Sequence, residues 1–421
     1  MGFWKGRYSV ILIMFIAWIL SYVDRMVMSV SMPYIAKDFH LTPVAVGILM
    51  SSFFFGYALM QIPAGMLADR FGVRKVITVG LVWWSAFTAL TAWAGSYAIM
   101  LVIRVLFGLG EACLPPSYFK SVAFWTPLKE RGTMNSIVMS SNSLGPALAP
   151  LFAVGIIAAY GWRSVFSFLF IPGIIMAGLV WIFVSEKPEQ SRWISKEEVE
   201  EISAGSARAE KGKQDNLTIG DAFKNPVVWK VLCTLFVFMI AAWGYMTWLP
   251  SYLVKARGLS LAKMGLAASL PFFAGFVGAI VAGYLSDKLF LRHRNILYII
   301  CVLLAAVFLY LTYSTAHVGP AIAYNTLAGF FLMAANAGLT AIPITVIPKE
   351  IMGVSMGVIN FGNQMAGFLA PTIIGFLVQF SGGSFNSTFI FLIIACLLTA
   401  VISLSLRERP AGIGSVEGQA G

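Results

Sequence analysis

The 421-residue chain is 59% hydrophobic and only 11% charged, with a formal net charge of +11. A mean hydropathy of +0.84 is more apolar surface than a soluble fold of this length needs, so a soluble domain is excluded and an all-α membrane protein is expected. The positive balance reads as a membrane-orientation signal, and no nucleic-acid partner is expected.

About twelve apolar segments follow one another, at 9–33, 43–67, 75–95, 97–119, 134–159, 164–185, 227–253, 263–286, 295–314, 319–346, 354–380 and 386–406. The first is long enough to cross a bilayer and too long for a cleavable signal, and it carries Asp24 and Arg25. An ion at mid-depth costs about 2.5–3.5 kcal/mol on insertion scales, so such residues read by default as functional. Helical neighbours lie about 100° apart, so Asp24 and Arg25 cannot both face one partner. In the fourth segment Arg104 and Glu111 are two turns apart, on one face and about 10 Å apart along the axis. The four charges sum to zero and are expected to satisfy one another in an empty polar cavity lined by the first and fourth helices.

The fifth segment contains the polar run Ser140 to Ser143, which serves either as helix-packing glue or as part of a site. The sixth is followed by a polar connection, 186–225, in which Ser195-Lys196-Glu197-Glu198 forms a capping box for a short amphipathic helix. The residues after it, 203–216, are small and polar and read as a flexible linker. The seventh segment is rich in aromatics; Trp248 at its outer end is expected to anchor at the membrane interface, with Trp243 and Tyr245 deeper. Cys113, Cys233, Cys301 and Cys396 fall in apolar runs and read as packing residues. His40, His293 and His317 do not cluster, so no metal or haem site is expected. An even number of spans puts both termini on one side, and the lysines and arginines concentrated there make that side cytoplasmic. The expected divisions are 1–185, a six-helix bundle; 186–225, a cytoplasmic loop; and 226–421, a second bundle with its tail.

The two halves repeat. Gly65-Met66-Leu67-Ala68-Asp69-Arg70-Phe71-Gly72-Val73-Arg74 follows the second segment, and Gly283-Tyr284-Leu285-Ser286-Asp287-Lys288-Leu289-Phe290-Leu291-Arg292 follows the eighth. Asn142 with Leu148-Ala149-Pro150 likewise matches Asn363 with Leu369-Ala370-Pro371. Such internal symmetry marks a two-bundle transporter.

The signature from Gly65 to Lys75 resembles the major facilitator superfamily. That resemblance implies a gating role for Gly65, Asp69, Arg70 and Arg74, and for Asp287 and Arg292 in the second half. Tyr22-x-Asp24-Arg25, Arg104-x-x-x-Gly108-x-Gly110-Glu111, Trp248-Leu249-Pro250-Ser251-Tyr252-Leu253 and Asn360-x-x-Gly362-Asn363 look like the anion:cation symporter family, which includes bacterial sugar-acid/proton symporters. The resemblance implies that Arg25 and Arg104 hold a substrate carboxylate while Asp24 and Glu111 handle protons. Tyr22, Tyr57 and Asn142 would line the N-terminal side of the site, and Asn360 the C-terminal side; Asn363 and, from the aromatic seventh segment, Tyr245 are further candidates to contact the substrate. Galactonate-type members carry a glutamine where Asn142 stands. The chemistry of the residues agrees, since arginine's planar fork suits a carboxylate in a way that lysine does not.

The expected protein is therefore a proton-coupled symporter for a small organic anion, a sugar acid in the first instance, working by alternating access. It is expected as a monomer in the bilayer of a bacterial inner membrane, with protons as coupling ion and no other cofactor. Uptake of a phthalate-like aromatic carboxylate and anion exchange are the alternatives. A membrane-embedded enzyme would need a nucleophile–base pair or histidines at mid-depth, which the sequence lacks.

Overall fold

A computed structural model describes residues 5–206, 224–290, 294–347 and 351–406. Among these residues there are sixteen α-helices and no strand. The first six spans are α1 (Gly6–Asp38), α2 (Pro43–Phe71), α3 (Val73–Ala92), the pair α4 (Tyr97–Glu111) and α5 (Leu114–Trp125), the pair α6 (Leu128–Met139) and α7 (Ser141–Tyr160), and α8 (Trp162–Phe183). After the short α9 (Lys196–Ser206) come α10 (Pro226–Lys255), α11 (Leu261–Lys288), α12 (Arg294–Ser314), α13 (Val318–Leu339), α14 (Ile342–Val346), α15 (Met352–Phe380) and α16 (Asn386–Leu404). Twelve spans among the described residues are long and apolar enough to cross a membrane, and the fold is an all-α membrane protein of two six-helix bundles.

Local chemistry sets the helix ends. Thr42 Oγ1 accepts from the Ala45 N–H at 3.2 Å with Pro43 opening α2, and Ser96 Oγ accepts from the Ile99 N–H at 3.3 Å at the start of α4. The fourth segment, expected as one helix over 97–119, is instead broken. Pro115 and Pro116 have no N–H to offer the carbonyls of Glu111 and Ala112, so α4 stops at Glu111. The fifth begins at Leu128 rather than 134, because its polar first turns fall outside the apolar window. It is interrupted at the serine run, where the hydroxyls of Ser140 and Ser141 donate to the carbonyls of Ile137 (2.6 Å) and Val138 (2.5 Å).

The described residues fall into two compact units: Met1–Lys213 with Met246–Ser269 and Pro371–Gln379, and Gln214–Tyr245 with Leu270–Ala370 and Phe380–Gly421. The first unit thus holds the first six spans together with stretches of α10, α11 and α15. Inside it α3 packs on α8, α2 on α4, and α1 on α7. Inside the second, α12 packs on α13 and α16.

Within the first unit, α2 meets the Pro371–Gln379 stretch almost backbone to backbone. A Cβ on Gly47 would lie 2.5 Å from the Pro371 carbonyl oxygen, and one on Gly375 would lie 2.6 Å from that of Pro43. The Thr372 hydroxyl donates to Ser51 Oγ at 2.8 Å, and Trp248 Nε1 donates to the Pro371 carbonyl at 3.1 Å. Trp248 is therefore buried in this contact rather than anchored at a membrane interface.

At the N-terminal end of α1, α9 is docked. Ser195 Oγ accepts from the Glu198 N–H at 3.2 Å, the first half of the expected capping box. Glu198 does not complete the box; its carboxylate accepts from the N–H groups of Gly6 and Arg7, both at 3.0 Å, and so caps α1 instead. Glu201 accepts from Lys5 (2.7 Å), Arg7 (2.9 Å) and Lys129 (2.9 Å), while Arg7 also reaches Glu130 at 2.8 Å. The linker expected over 203–216 lies outside the described residues beyond Ser206.

The hydrogen bonds from Arg7, Lys5 and Lys129 hold the Glu201 carboxyl well below its ordinary value of 4.5. Because the docked value is depressed, Glu201 contributes fully to docking above the ordinary value and loses that contribution only as pH falls toward the docked one. Glu201→Gln should therefore weaken α9 docking at neutral pH, seen as faster hydrogen exchange in the Gly6–Arg7 peptide, whereas the parent keeps its protection down to about pH 4. Equal exchange rates for the two proteins at neutral pH would contradict the arrangement.

Candidate functional site

Halfway along α1, Arg25 points to α4. Its Nε donates to Glu111 Oε1 at 2.6 Å, and the Ser21 hydroxyl, one turn earlier, donates to the same oxygen. Glu111 is fully buried, and Arg25 keeps only 11% of its side chain exposed. Three rings surround the guanidinium, with Cζ 5.1 Å from Tyr22, 4.8 Å from Phe53 and 4.8 Å from Tyr57. A cation over an aromatic face is attracted without being neutralised.

Arg104, also on α4, is 3% exposed and stacks on Phe107 (4.5 Å) and Phe53 (5.5 Å). Among the described residues it forms no ion pair, and its Nε has no hydrogen-bond partner. Asp24 is 3% exposed and likewise forms no ion pair, its Oδ1 unpartnered. The expectation that the four charges satisfy one another is thus met by one pair only. The reason is helical geometry: Arg25 takes Glu111, and its neighbour Asp24 is turned about 100° away. Glu111 Oε2 and Asn142 Oδ1, the latter at the start of α7, are also buried without partners.

The site's packing depends on a close approach of α2 and α4. A Cβ on Gly108 would lie 2.3 Å from the Phe53 carbonyl oxygen and 2.8 Å from the Tyr57 amide. Glycine alone permits that contact, which seats Phe53 and Tyr57 against Arg25 and Arg104. The structure therefore brings Tyr22, Asp24, Arg25, Tyr57, Arg104 and Glu111 onto three neighbouring helices. Sequence reading missed Phe53, Phe107 and Ser21. The spacing of Phe53 from Tyr57, four residues on one helical face, was the available signal.

The remaining candidates lie elsewhere. In the second unit the Tyr245 hydroxyl is buried and donates to the carbonyl and Oδ1 of Asn325, at 3.2 and 3.0 Å. Asn360 and Asn363 sit on α15 in the same unit, and Asn363 Oδ1 is buried without a partner. Around Gly65, Asp69 pairs with Lys120 at 2.9 Å, and the same amine donates to the Ala68 carbonyl at 2.9 Å. Gly72, at φ 87°, turns the chain into α3, whose first amides at Val73 and Arg74 donate to the Glu186 carboxylate at 2.6 and 3.2 Å. Arg70 stacks on Phe71 and Arg74 on Trp181. Lys120 and Glu186 were not anticipated. Arg292 and the side chain of Asp287 lie outside the described residues.

Twelve spans and a charge cluster buried in the first unit make this a multi-pass membrane protein. The chain belongs to the Major Facilitator Superfamily, whose family profile matches residues 14–371 and again 264–420. It is 32% identical over 384 residues to a probable sulfoacetate transporter, SauU, of Cupriavidus necator, covering 90% of this chain and 89% of that protein. It is 33% identical to the probable galactarate/D-glucarate transporter GarP of Escherichia coli K12, with 94% of each chain covered. The fold matches that of the inward-open xylose transporter XylE from E. coli with a TM-score of 0.77 at 16% identity, over 96% of this chain and 97% of that one.

Gly108→Ala tests the close approach. Forcing α2 and α4 apart should lower stability by about 1–3 kcal/mol, read as a lower thermal midpoint in detergent. An unchanged midpoint would mean that the contact has slack.

Proposed function

We propose that the protein is a proton-coupled symporter for a small organic anion, a sugar acid in the first instance, working by alternating access of its two six-helix halves. The observation that carries this reading is the buried Arg25–Glu111 pair beside Arg104, a guanidinium without an acid partner among the described residues. Relatives described as transporters of galactarate/glucarate support it.

Arg104 receives the anion first, because no carboxylate among the described residues is paired with it. While Glu111 is ionised, Arg25 is occupied by it. A proton on Glu111 breaks that pair and frees the Arg25 fork for the substrate, so proton and anion binding favour each other. Asp24 carries a second proton. With both acids protonated, the two arginines leave a net +2; a monoanion neutralises it in part, so that positive charge moves inward with help from a negative-inside potential, and a dianion neutralises it in full. Tyr22, Tyr57 and Asn142, with Asn360, Asn363 and Tyr245 from the second half, supply hydrogen bonds to the body of the substrate. The Gly65-Asp69-Arg70-Arg74 turn and its repeat at Asp287 and Arg292 gate the cycle. The protein sits as a monomer in a bacterial inner membrane with both termini cytoplasmic. A small sulfonate is the second reading, favoured by the relative described as a probable sulfoacetate transporter.

Uptake into proteoliposomes is the test. A panel of sugar acids, aromatic acids, dicarboxylates and sulfonates should include one whose accumulation saturates and collapses with a protonophore. Uptake that neither saturates nor responds to the protonophore would reject the reading.

Arg25→Lys and Arg104→Lys keep the charge but lose the planar fork, and each should reduce uptake about tenfold or more. Parent-like uptake by either variant would remove that arginine from the anion site.

Glu111→Gln imitates the protonated acid permanently. It should still exchange substrate across the membrane in counterflow but fail to concentrate it against a gradient at an imposed pH difference. Accumulation equal to the parent's would show that Glu111 does not couple.

A further inference from the structure

Arg25 and Arg104 stand on different helices, yet both stack on one ring. The Cζ of Arg25 is 4.8 Å and that of Arg104 is 5.5 Å from the centroid of Phe53, which is 1% exposed on α2. The ring is itself fixed, with Phe54 at 5.0 Å, Tyr57 at 5.5 Å and Phe107 at 5.5 Å between centroids. Its backbone lies close against α4, with the Phe53 carbonyl beside Gly108. Tyr22 and Tyr57 touch Arg25, and Phe107 touches Arg104; Phe53 is shared between them.

A carboxylate placed between two arginines would also fix their spacing, but it would cancel one of their two charges. An aromatic face holds a guanidinium in place and leaves its charge available to a ligand. We propose that Phe53 is a positioning residue that sets the separation of the Arg25 and Arg104 guanidinium groups, and that it thereby adapts the site to acids carrying an anionic group at each end. This rests on the reading of Arg25 and Arg104 as the anion-binding pair. A ligand with two anionic ends needs both cations at the right distance at once. One with a single anionic end needs one of them and tolerates a shift in the other. Loss of the ring therefore costs the two-ended acid more, since it loses preorganisation at both contacts.

The experiment compares D-glucarate, with a carboxylate at each end of six carbons, and D-glucuronate, with one. Each is titrated against purified full-length parent, Phe53→Leu and Phe53→Tyr by calorimetry or thermal shift. Phe53→Leu should weaken glucarate about tenfold more than glucuronate, while Phe53→Tyr, which keeps the ring, should stay within about twofold of the parent's ratio. If the leucine variant fails to fold, Phe53→Met replaces it with a flexible side chain. A loss confined to glucarate supports the proposal equally. Equal weakening of both acids, as a merely structural role would give, overturns it, and so does a parent that takes glucuronate and refuses glucarate. A parent that binds no acid of the wider panel rejects the proposed function itself, and this proposal with it.

Discussion

A guanidinium and a carboxylate 2.6 Å apart, between α1 and α4, set the terms for everything packed around them. Removing either partner leaves the other buried and uncompensated, at a cost of about 3–5 kcal/mol. The pair therefore ties the two helices together and requires that the rest of its shell do no further neutralising. The shell obliges with π-faces and hydroxyls: Tyr22, Phe53, Tyr57 and Ser21. A second arginine, Arg104, is packed in the same way and forms no ion pair among the described residues, so rings rather than an acid hold it in place.

Much of this could be read from the residues. Twelve apolar segments, an internal repeat and four ions in otherwise apolar helices are long or rare signals, and the fold and the main charges followed from them. Neighbour geometry also foretold that Asp24 and Arg25 would part company. What was hidden depended on chain partners far away in sequence. An isolated phenylalanine in an apolar run looks like any core residue, so Phe53 could be recognised only once α4 was seen beside it. Pro115 and Pro116 were visible as benders, but only the carbonyls they fail to satisfy reveal that α4 ends at Glu111. The same holds for Glu198, whose position in a capping box concealed that it caps a different helix, and for Glu186, which caps α3 from the far end of α8. Tyr245, expected as a substrate contact, has its hydroxyl bonded to Asn325 within its own unit.

The docked α9 illustrates how a segment of ordinary polar composition acquires a definite place. Lys5, Arg7 and Lys129 meet Glu130, Glu198 and Glu201 in a cluster without net charge. Arg7, at its centre, is wholly buried, so the cluster is anchored in the bundle and not merely laid on its surface.

The seam between α2 and the Pro371–Gln379 stretch is narrow in geometry where its glycines meet. At Gly47 and Gly375 main chain faces main chain, and side chains are excluded by the spacing itself. Apolar stabilisation scales with hydrocarbon area withdrawn from solvent, about 25 cal/mol per Å², and a glycine contact withdraws little. What separation would expose is peptide carbonyls and the Thr372–Ser51 hydroxyl pair, which water solvates readily, together with the Trp248 indole. In the proposed cycle such a seam would work like a zip fastener, excluding water when closed and yielding without the repacking of a core.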